Sequence, residues 1–194
     1  SDLKYSTRRM RATRTLYSDM TAYTNEVPQD SLILDVGCSL PSSTEMTSGE
    51  YRHQWRNYFR KEVFTRMMEF NPDLIFISAG FDAHRKDSIN SGYIALVEED
   101  FDWITTNLVK IANSCCDGRV VSALEGGYQL NGEFCSAFAK SVKTHVNSLT
   151  VGARSTAPFS VADAQRETEV EKQLLDEAAE RRYQKQLLLQ KQEE

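Results

Sequence analysis

Two short apolar, β-branched runs, Leu74-Ile75-Phe76-Ile77 and Val120-Val121-Ser122-Ala123-Leu124, each lead straight into a polar, glycine-bearing segment. Runs of this length without regular polar alternation read as strands of a parallel sheet. Before and between them the period changes to three and four. Tyr51, Trp55, Tyr58 with Phe59, Val63 with Met67, and Phe70 mark one face of a helix beginning near Ser48. Asn71-Pro72-Asp73 ends it, because proline cannot continue a helix and restricts the residue before it. A second amphipathic helix runs from about Glu98, with Phe101, Ile104, Leu108 and Ile111 inward, and Asp117-Gly118 closes it. Gly126-Gly127 predicts a turn, after which Phe134, Phe138, Val142, Val146 and Leu149 form the apolar face of a third helix. Leu32-Ile33-Leu34-Asp35-Val36 reads as an earlier short strand and Pro41-Ser42-Ser43-Thr44 as a loop. The alternation of strands and helices predicts an α/β fold, a parallel sheet flanked by helices on both faces.

The pattern also divides the chain. Residues 1–26 are polar and basic, with Arg8, Arg9, Arg11 and Arg14 together, which reads as a solvated segment or as a phosphate- or nucleic-acid-binding patch. Residues 27–149 carry the strand–helix alternation. Residues 150–162 are small and polar with Pro158, a linker composition. Residues 163–194 are rich in Glu, Gln, Lys and Arg without Gly or Pro. Leu175, Ala179, Tyr183 and Leu187 form a stripe there, with Leu174 and Ala178 beside it. That is a charged helix with a narrow apolar seam, either a partner-binding or coiled-coil tail or a partly ordered helix.

Composition narrows the function classes. The 194 residues are 40% hydrophobic and 26% charged, as in soluble globular proteins. A formal net charge of −5 disfavours direct nucleic-acid binding by the whole chain. No apolar run is long enough to cross a bilayer, and Ser1-Asp2-Leu3-Lys4 lacks the layout of a secretory signal. Without an initiator Met, residue 1 is expected not to be the natural start. Cys38, Cys115, Cys116 and Cys135 lack zinc-knuckle spacing, and reduced thiols in an intracellular protein are expected.

The candidate chemistry lies in Ser78-Ala79-Gly80-Phe81-Asp82-Ala83-His84-Arg85-Lys86-Asp87 and Leu124-Glu125-Gly126-Gly127-Tyr128. Both emerge from the carboxyl ends of strands, where open α/β sheets place their ligand sites. An Asp87 carboxylate at that rim suits a metal ligand or an acid–base group, or a turn residue. Asp82, directly after Gly80-Phe81, is placed to bond nearby backbone amides and fix the loop. His84 is a weak second ligand, since His-x-x-Asp is a common pattern, and is taken as loop-structuring. Gly126-Gly127 permits a turn that aims Tyr128 inward, where a phenol can hydrogen-bond a developing oxyanion without ionising. Tyr128 as a tyrosine capping the core is the structural alternative.

These two segments together resemble the second half of a zinc-dependent histone deacetylase of the class II type, a family that includes acetylpolyamine amidohydrolases. The stretches Gly49-Glu50-Tyr51-Arg52 to Asp73-Leu74 and Glu98-Glu99-Asp100-Phe101 onward are similar too, so the resemblance covers about residues 32–149. It implies an arginase–deacetylase sandwich with a central parallel sheet. Asp87 matches the family's last zinc-binding aspartate. Tyr128 matches the tyrosine that polarises the acetamide carbonyl, and Gly126 and Gly127 match backbone beside the acetyl-lysine channel. The implied reaction is hydrolysis of N-acetyl-lysine by zinc-bound water, with acetylated protein tails such as those of histones as substrates, in nucleus or cytoplasm.

The chain also departs from the family pattern. The family's other zinc ligands, an Asp-x-His pair, and its paired histidines precede the matched region. Here only His53, His84 and His145 occur, none adjacent to another. Ser88 follows Asp87 where the family has proline, and the channel-lining residue among Tyr93–Leu96 is unassigned. The expectation is therefore the carboxyl-terminal part of a lysine deacetylase, with one of its zinc ligands and inactive as an isolated chain. The alternatives are a non-catalytic module acting through its C-terminal helix, or an acetylpolyamine amidohydrolase.

Overall fold

The computed structural model describes Leu32, Leu34 and residues 42–193. The basic segment 1–26, Cys38 and, apart from those two leucines, the expected strand at 32–36 lie outside the described residues. In chain order the elements are α1 (Ser48–Tyr58), a π-helical segment (Phe59–Val63), α2 (Phe64–Phe70), β1 (Ile75–Ala79), a 3-10 turn (Ser88–Asn90), α3 (Glu98–Cys115), β2 (Val120–Leu124), α4 (Ala137–Gly152) and α5 (Val161–Glu193). The α/β class with a parallel sheet and a long C-terminal helix is thus present, with two strands among the described residues.

Local chemistry starts and stops the first helical rod. Thr47 Oγ1 accepts from the Glu50 amide, and Glu50 Oε2 accepts from the Thr47 amide at 2.8 Å, a reciprocal cap. The π-helical segment shifts the face so that Phe59, Arg60, Val63 and then Phe64 all turn inward. Asn71, at φ 53°, ends the rod in the left-handed region, with Pro72 next.

β1 and β2 pair in parallel, Ile75 opposite Val120 through Ala79 opposite Leu124. Ile75 and Ala79 enter the single core cluster with Phe81, Leu96, Phe101, Ile111 and the rod's Trp55, Phe59 and Phe64. The other face differs from the expectation of helices on both sides. Phe76 and its register partner Val121 stand exposed, at 72% and 44%. Helices cover one face only among the described residues.

α4 corrects a second expectation. It begins at Ala137, so Phe134 precedes it and is 96% exposed, and Val146 is also exposed. The face it buries is Ala137, Ser141, His145 and Ser148, with Phe138 and Val142 half-buried beside it. The reason is close helix packing. Gly152 approaches Val109 of α3 so tightly that a Cβ would sit 2.6 Å from Val109 Cγ1. Buried serines are tolerable there because Ser141 Oγ donates to the Ala137 carbonyl at 2.8 Å and Ser148 Oγ to Asp102 Oδ1 at 2.6 Å. A hydropathy pattern reads such residues as outward.

Three carboxylates fasten the helices to each other. Asp100, fully buried at the start of α3, accepts from the Val97 amide at 3.0 Å and from Arg52 and Arg56 of α1. Glu171 of α5 accepts from Arg56 at 2.8 Å and from Arg60 at 2.9 Å, while Glu167 accepts from Trp103 Nε1 at 2.9 Å. The connection before α5 is pinned as well. Asn113 donates to the carbonyls of Ser155 and Ala157, and the Phe159 ring meets Phe64 at 5.3 Å.

Leu175 reaches Gly49, so the first half of α5 lies on α1, and beyond it Tyr183, Leu188 and Leu189 are exposed. Cys116 is buried in the core cluster, Cys115 is half-buried and Cys135 exposed, all three as free thiols.

Burial pushes the Glu171 carboxyl up, and the Arg60, Arg56 and His53 contacts more than offset this, holding it below the ordinary range. Its contribution is therefore complete above the unfolded glutamate value of about 4.3 and is lost as pH falls through the lower folded value. Glu171→Ala, which leaves Arg60 buried without that partner, is expected to cost about 3 kcal/mol in urea unfolding at neutral pH. Equal stability of the two proteins would show that α5 is not latched this way.

Candidate functional site

The rim at the carboxyl ends of β1 and β2 is built by two loops that bond each other. The Phe81 amide donates to the Gly126 carbonyl at 2.8 Å and the Glu125 amide to the Ala79 carbonyl at 3.1 Å. Ser78 Oγ donates to Glu125 Oε1 at 2.9 Å across the same strand ends. The loops thus leave the sheet side by side.

Asp87 is the residue that joins them. Its side chain is buried, at 3% exposure for the residue. Oδ2 accepts from the backbone amides of Tyr128 at 2.7 Å and Gln129 at 3.0 Å, and Oδ1 accepts from the Ile89 amide at 3.2 Å. Burial raises the Asp87 carboxyl, but the amides of Tyr128, Ile89 and Gln129 more than offset it and hold it below the usual carboxylate range. The structure therefore brings Asp87 and the Tyr128 backbone together, with the Tyr128 side chain 57% exposed at the rim.

The glycines are required by contact and by φ. Gly127 has φ 133°, and a Cβ on it would lie 2.4 Å from Phe138 Cδ2. Gly126 gives room to Asp82, whose Oδ1 would be 2.9 Å from a Cβ there and 3.1 Å from one on Gly80. Asp82 thus packs its carboxylate against both glycines, where amide hydrogen bonds were expected of it. Its carbonyl accepts from Asn90 Nδ2 at 2.8 Å.

His84 lies inside the loop, at 2% exposure. Its Nδ1 accepts from the Lys86 amide at 3.1 Å, which leaves the neutral ring's proton on Nε2, facing Glu98 Oε2 at 3.3 Å. Both ring nitrogens hold the loop. Both ring nitrogens of the other two histidines are engaged as well, away from this loop. His53 contacts Glu171 and Asn57, and His145 contacts Thr105 and Ser122.

Sequence reasoning missed Asn90, whose amide ties the carbonyls of Asp82 and His84, and Glu98, the partner of His84. The Asn90-Ser91-Gly92 string signals a turn but not the reach of the Asn90 side chain back across the loop.

A parallel-sheet protein with an acidic loop and a glycine–tyrosine turn at one rim is the class these features define. Residues 35–149 match the model of the histone deacetylase domain, and the chain belongs to the histone deacetylase family. Type-2 histone deacetylase 2 of Dictyostelium discoideum is 34% identical over 120 residues, covering 62% of this chain and 6% of that protein. Type-2 histone deacetylase 1 of the same organism is 44% identical over 69 residues, covering 36% of this chain and 4% of that protein. A solved structure of the histone deacetylase Clr3 matches with a TM-score of 0.45 at 24% identity, covering 72% of this chain and 22% of that one. The chain thus spans a small part of the length of these relatives.

The donor set does not by itself fit the zinc ion that the family implies. A catalytic zinc takes three protein ligands and an open position. Among the described residues no three His, Cys, Asp or Glu side chains converge, and both Asp87 oxygens already accept amide hydrogens.

Removing the carboxylate tests its structural part. Asp87→Ala leaves the Tyr128 and Gln129 amides without their acceptor, and a loss of about 1–3 kcal/mol is expected. Hydrogen exchange should accelerate at those two amides while α3 keeps its protection. Unchanged exchange there would mean that the carboxylate does not hold the two loops together.

Proposed function

We propose that this chain supplies part of the site of a zinc-dependent lysine deacetylase, with Asp87 as one carboxylate for the metal and Tyr128 as the phenol that meets the acetamide carbonyl. The observation that carries this reading is the 2.7 Å bond between Asp87 Oδ2 and the Tyr128 amide, which sets both residues at one rim. The amide bonds keep Asp87 ionised and in place, and through the same contact it orients the turn that bears Tyr128. The phenol donates a hydrogen bond to an acyl oxygen as negative charge develops there. Gly126 and Gly127 allow the backbone to lie close to an extended acyl-amine stem. The reaction is addition of water to the acetyl carbonyl of an N-acetyl-lysine side chain, releasing acetate and the free amine. Protein tails such as those of histones are the proposed substrates. Acetylpolyamines present the same acetamide on an apolar stem, and only a direct comparison of rates separates them.

The three histidines of the sequence are each committed to hydrogen bonds within this fold. The remaining ligands and the proton-handling groups are therefore proposed to come from outside this chain. The chain alone is expected to bind far less than one equivalent of zinc by elemental analysis and to release no acetate from an acetyl-lysine peptide. Stoichiometric zinc with sustained turnover would overturn that. In a longer version that carries the other ligands, Tyr128→Phe is expected to lower kcat about 10²–10³-fold. A kcat equal to that of the parent protein would remove Tyr128 from its assigned role.

A second role rests on the exposed distal half of α5. Tyr183, Leu188 and Leu189 are each more than half exposed there, and a partner helix is proposed to cover them. Deleting residues 176–194 is expected to abolish any self-association seen in sedimentation while leaving the core folded. Identical sedimentation of the two proteins as monomers would restrict α5 to its intramolecular contacts.

A further inference from the structure

A buried hydrogen-bond chain that the proposed reaction does not use runs across the interface of α3, α4 and β2. Thr105 Oγ1 lies 2.6 Å from the Phe101 carbonyl, which has no proton to give, so the Thr105 hydroxyl hydrogen points there. The same oxygen is 2.7 Å from His145 Nδ1 and, with its hydrogen spent, accepts. That places the single ring proton of neutral His145 on Nδ1. Nε2 is then a bare acceptor, and Ser122 Oγ of β2, 2.8 Å away, donates to it. The chain has one direction only: Ser122 to His145 to Thr105 to Phe101.

We propose that this relay is an acid-sensitive clasp, in which protonation of His145 releases α4 from β2 and loosens the turn that carries Tyr128. A proton on Nε2 would face the hydroxyl hydrogen of Ser122, so the Ser122 hydroxyl must turn away from the acceptor it has now. The imidazolium would also be enclosed, since His145 is 6% exposed and its ring meets Phe81 edge-on at 5.6 Å. Among the described residues no carboxylate is hydrogen-bonded or ion-paired with His145. The groups in contact are uncharged, Thr105 from α3, Ser122 from β2 and Phe81 from the loop after β1. Of the ionisable side chains on or next to those elements, Asp102 bonds Ser148, Asp100 pairs with Arg52 and Arg56, Glu125 bonds Ser78, His84 faces Glu98, and Asp82 packs against Gly80 and Gly126. Within α4 itself the buried neighbours are Ser141 and Ser148.

Burial accordingly lowers the affinity of His145 for a proton. The sign follows. Below the unfolded histidine value of about 6.5 an opened state takes up the proton first, so the closed state loses stability as pH falls toward the lower folded value. The path to the rim is short. Phe138, in the first turn of α4, presses on Gly127, the residue before Tyr128. This inference concerns the turn's stability and stands whether or not Tyr128 acts on an acetamide.

Nitrogen-15 NMR of the histidine ring at neutral pH is expected to show the proton of His145 on Nδ1. Between pH 7.0 and 5.5, protection factors of amides in α4 and at Gly127 and Tyr128, corrected for intrinsic exchange, should fall roughly tenfold. In His145→Gln the same amides should show no decline over that window. A proton on Nε2 at neutral pH, or constant protection in the wild-type protein, overturns the proposal even if the variant does not fold. An equal decline in the folded variant overturns it as well.

Discussion

A single buried carboxylate organises the rim. Asp87 accepts three backbone amides drawn from two loops, with Tyr128 41 positions further along the chain. A buried amide without an acceptor costs on the order of 1–3 kcal/mol, so this oxygen pair favours the meeting of the loops beyond their direct backbone bonds. The arrangement explains why the acidic residue follows β1 and the aromatic one follows β2. Parallel neighbours in register, Ala79 opposite Leu124, deliver both loops to the same edge. The glycines of the second loop then let Asp82 and Phe138 approach it from either side.

The same logic extends through the core. The groups that join one helix to another are often polar: Asp100 between α1 and α3, Glu171 between the rod and α5, His145 between α3, α4 and β2. Each is surrounded by partners that satisfy it, and a polar group so enclosed specifies one geometry where an apolar contact would accept several. Arg60 illustrates the cost of such an arrangement. Its guanidinium is held by Glu167 and Glu171, yet its Nε has no hydrogen-bond partner among the described residues. The first half of α5 is therefore part of the packed body, while the second half presents leucines outward.

Family membership and local geometry carry different weight. Residues 35–149 place the chain among histone deacetylases, whereas its histidines are all spent on structure. A hydrogen-bonded imidazole can ligate a metal only by giving up a partner, and two of the three rings are nearly fully buried. One face of the sheet is also open among the described residues. Parallel sheets are ordinarily covered on both sides, and here Phe76 and Val121 are adjacent, apolar and exposed. Among the described residues, the rim that bears Asp87 and the exposed sheet face belong to the same two strands.

The strand–helix alternation, the helix stop at Asn71-Pro72 and the two rim segments were legible in the sequence, because period, proline chemistry and residue type are local properties. The sequence by itself therefore determined the α/β class and the positions of Asp87 and Tyr128 at strand ends. It could not show which face of α4 turns inward. Ser141, His145 and Ser148 are polar by type and become interior only because α3, β2 and their own helix supply hydrogen-bond partners for them. Nor could it separate an Asp87 that holds backbone amides from one that is free to bind a metal, or a docked α5 from a solvated one. Those outcomes depend on which groups meet across distant stretches of chain, and only the tertiary structure brings those groups together.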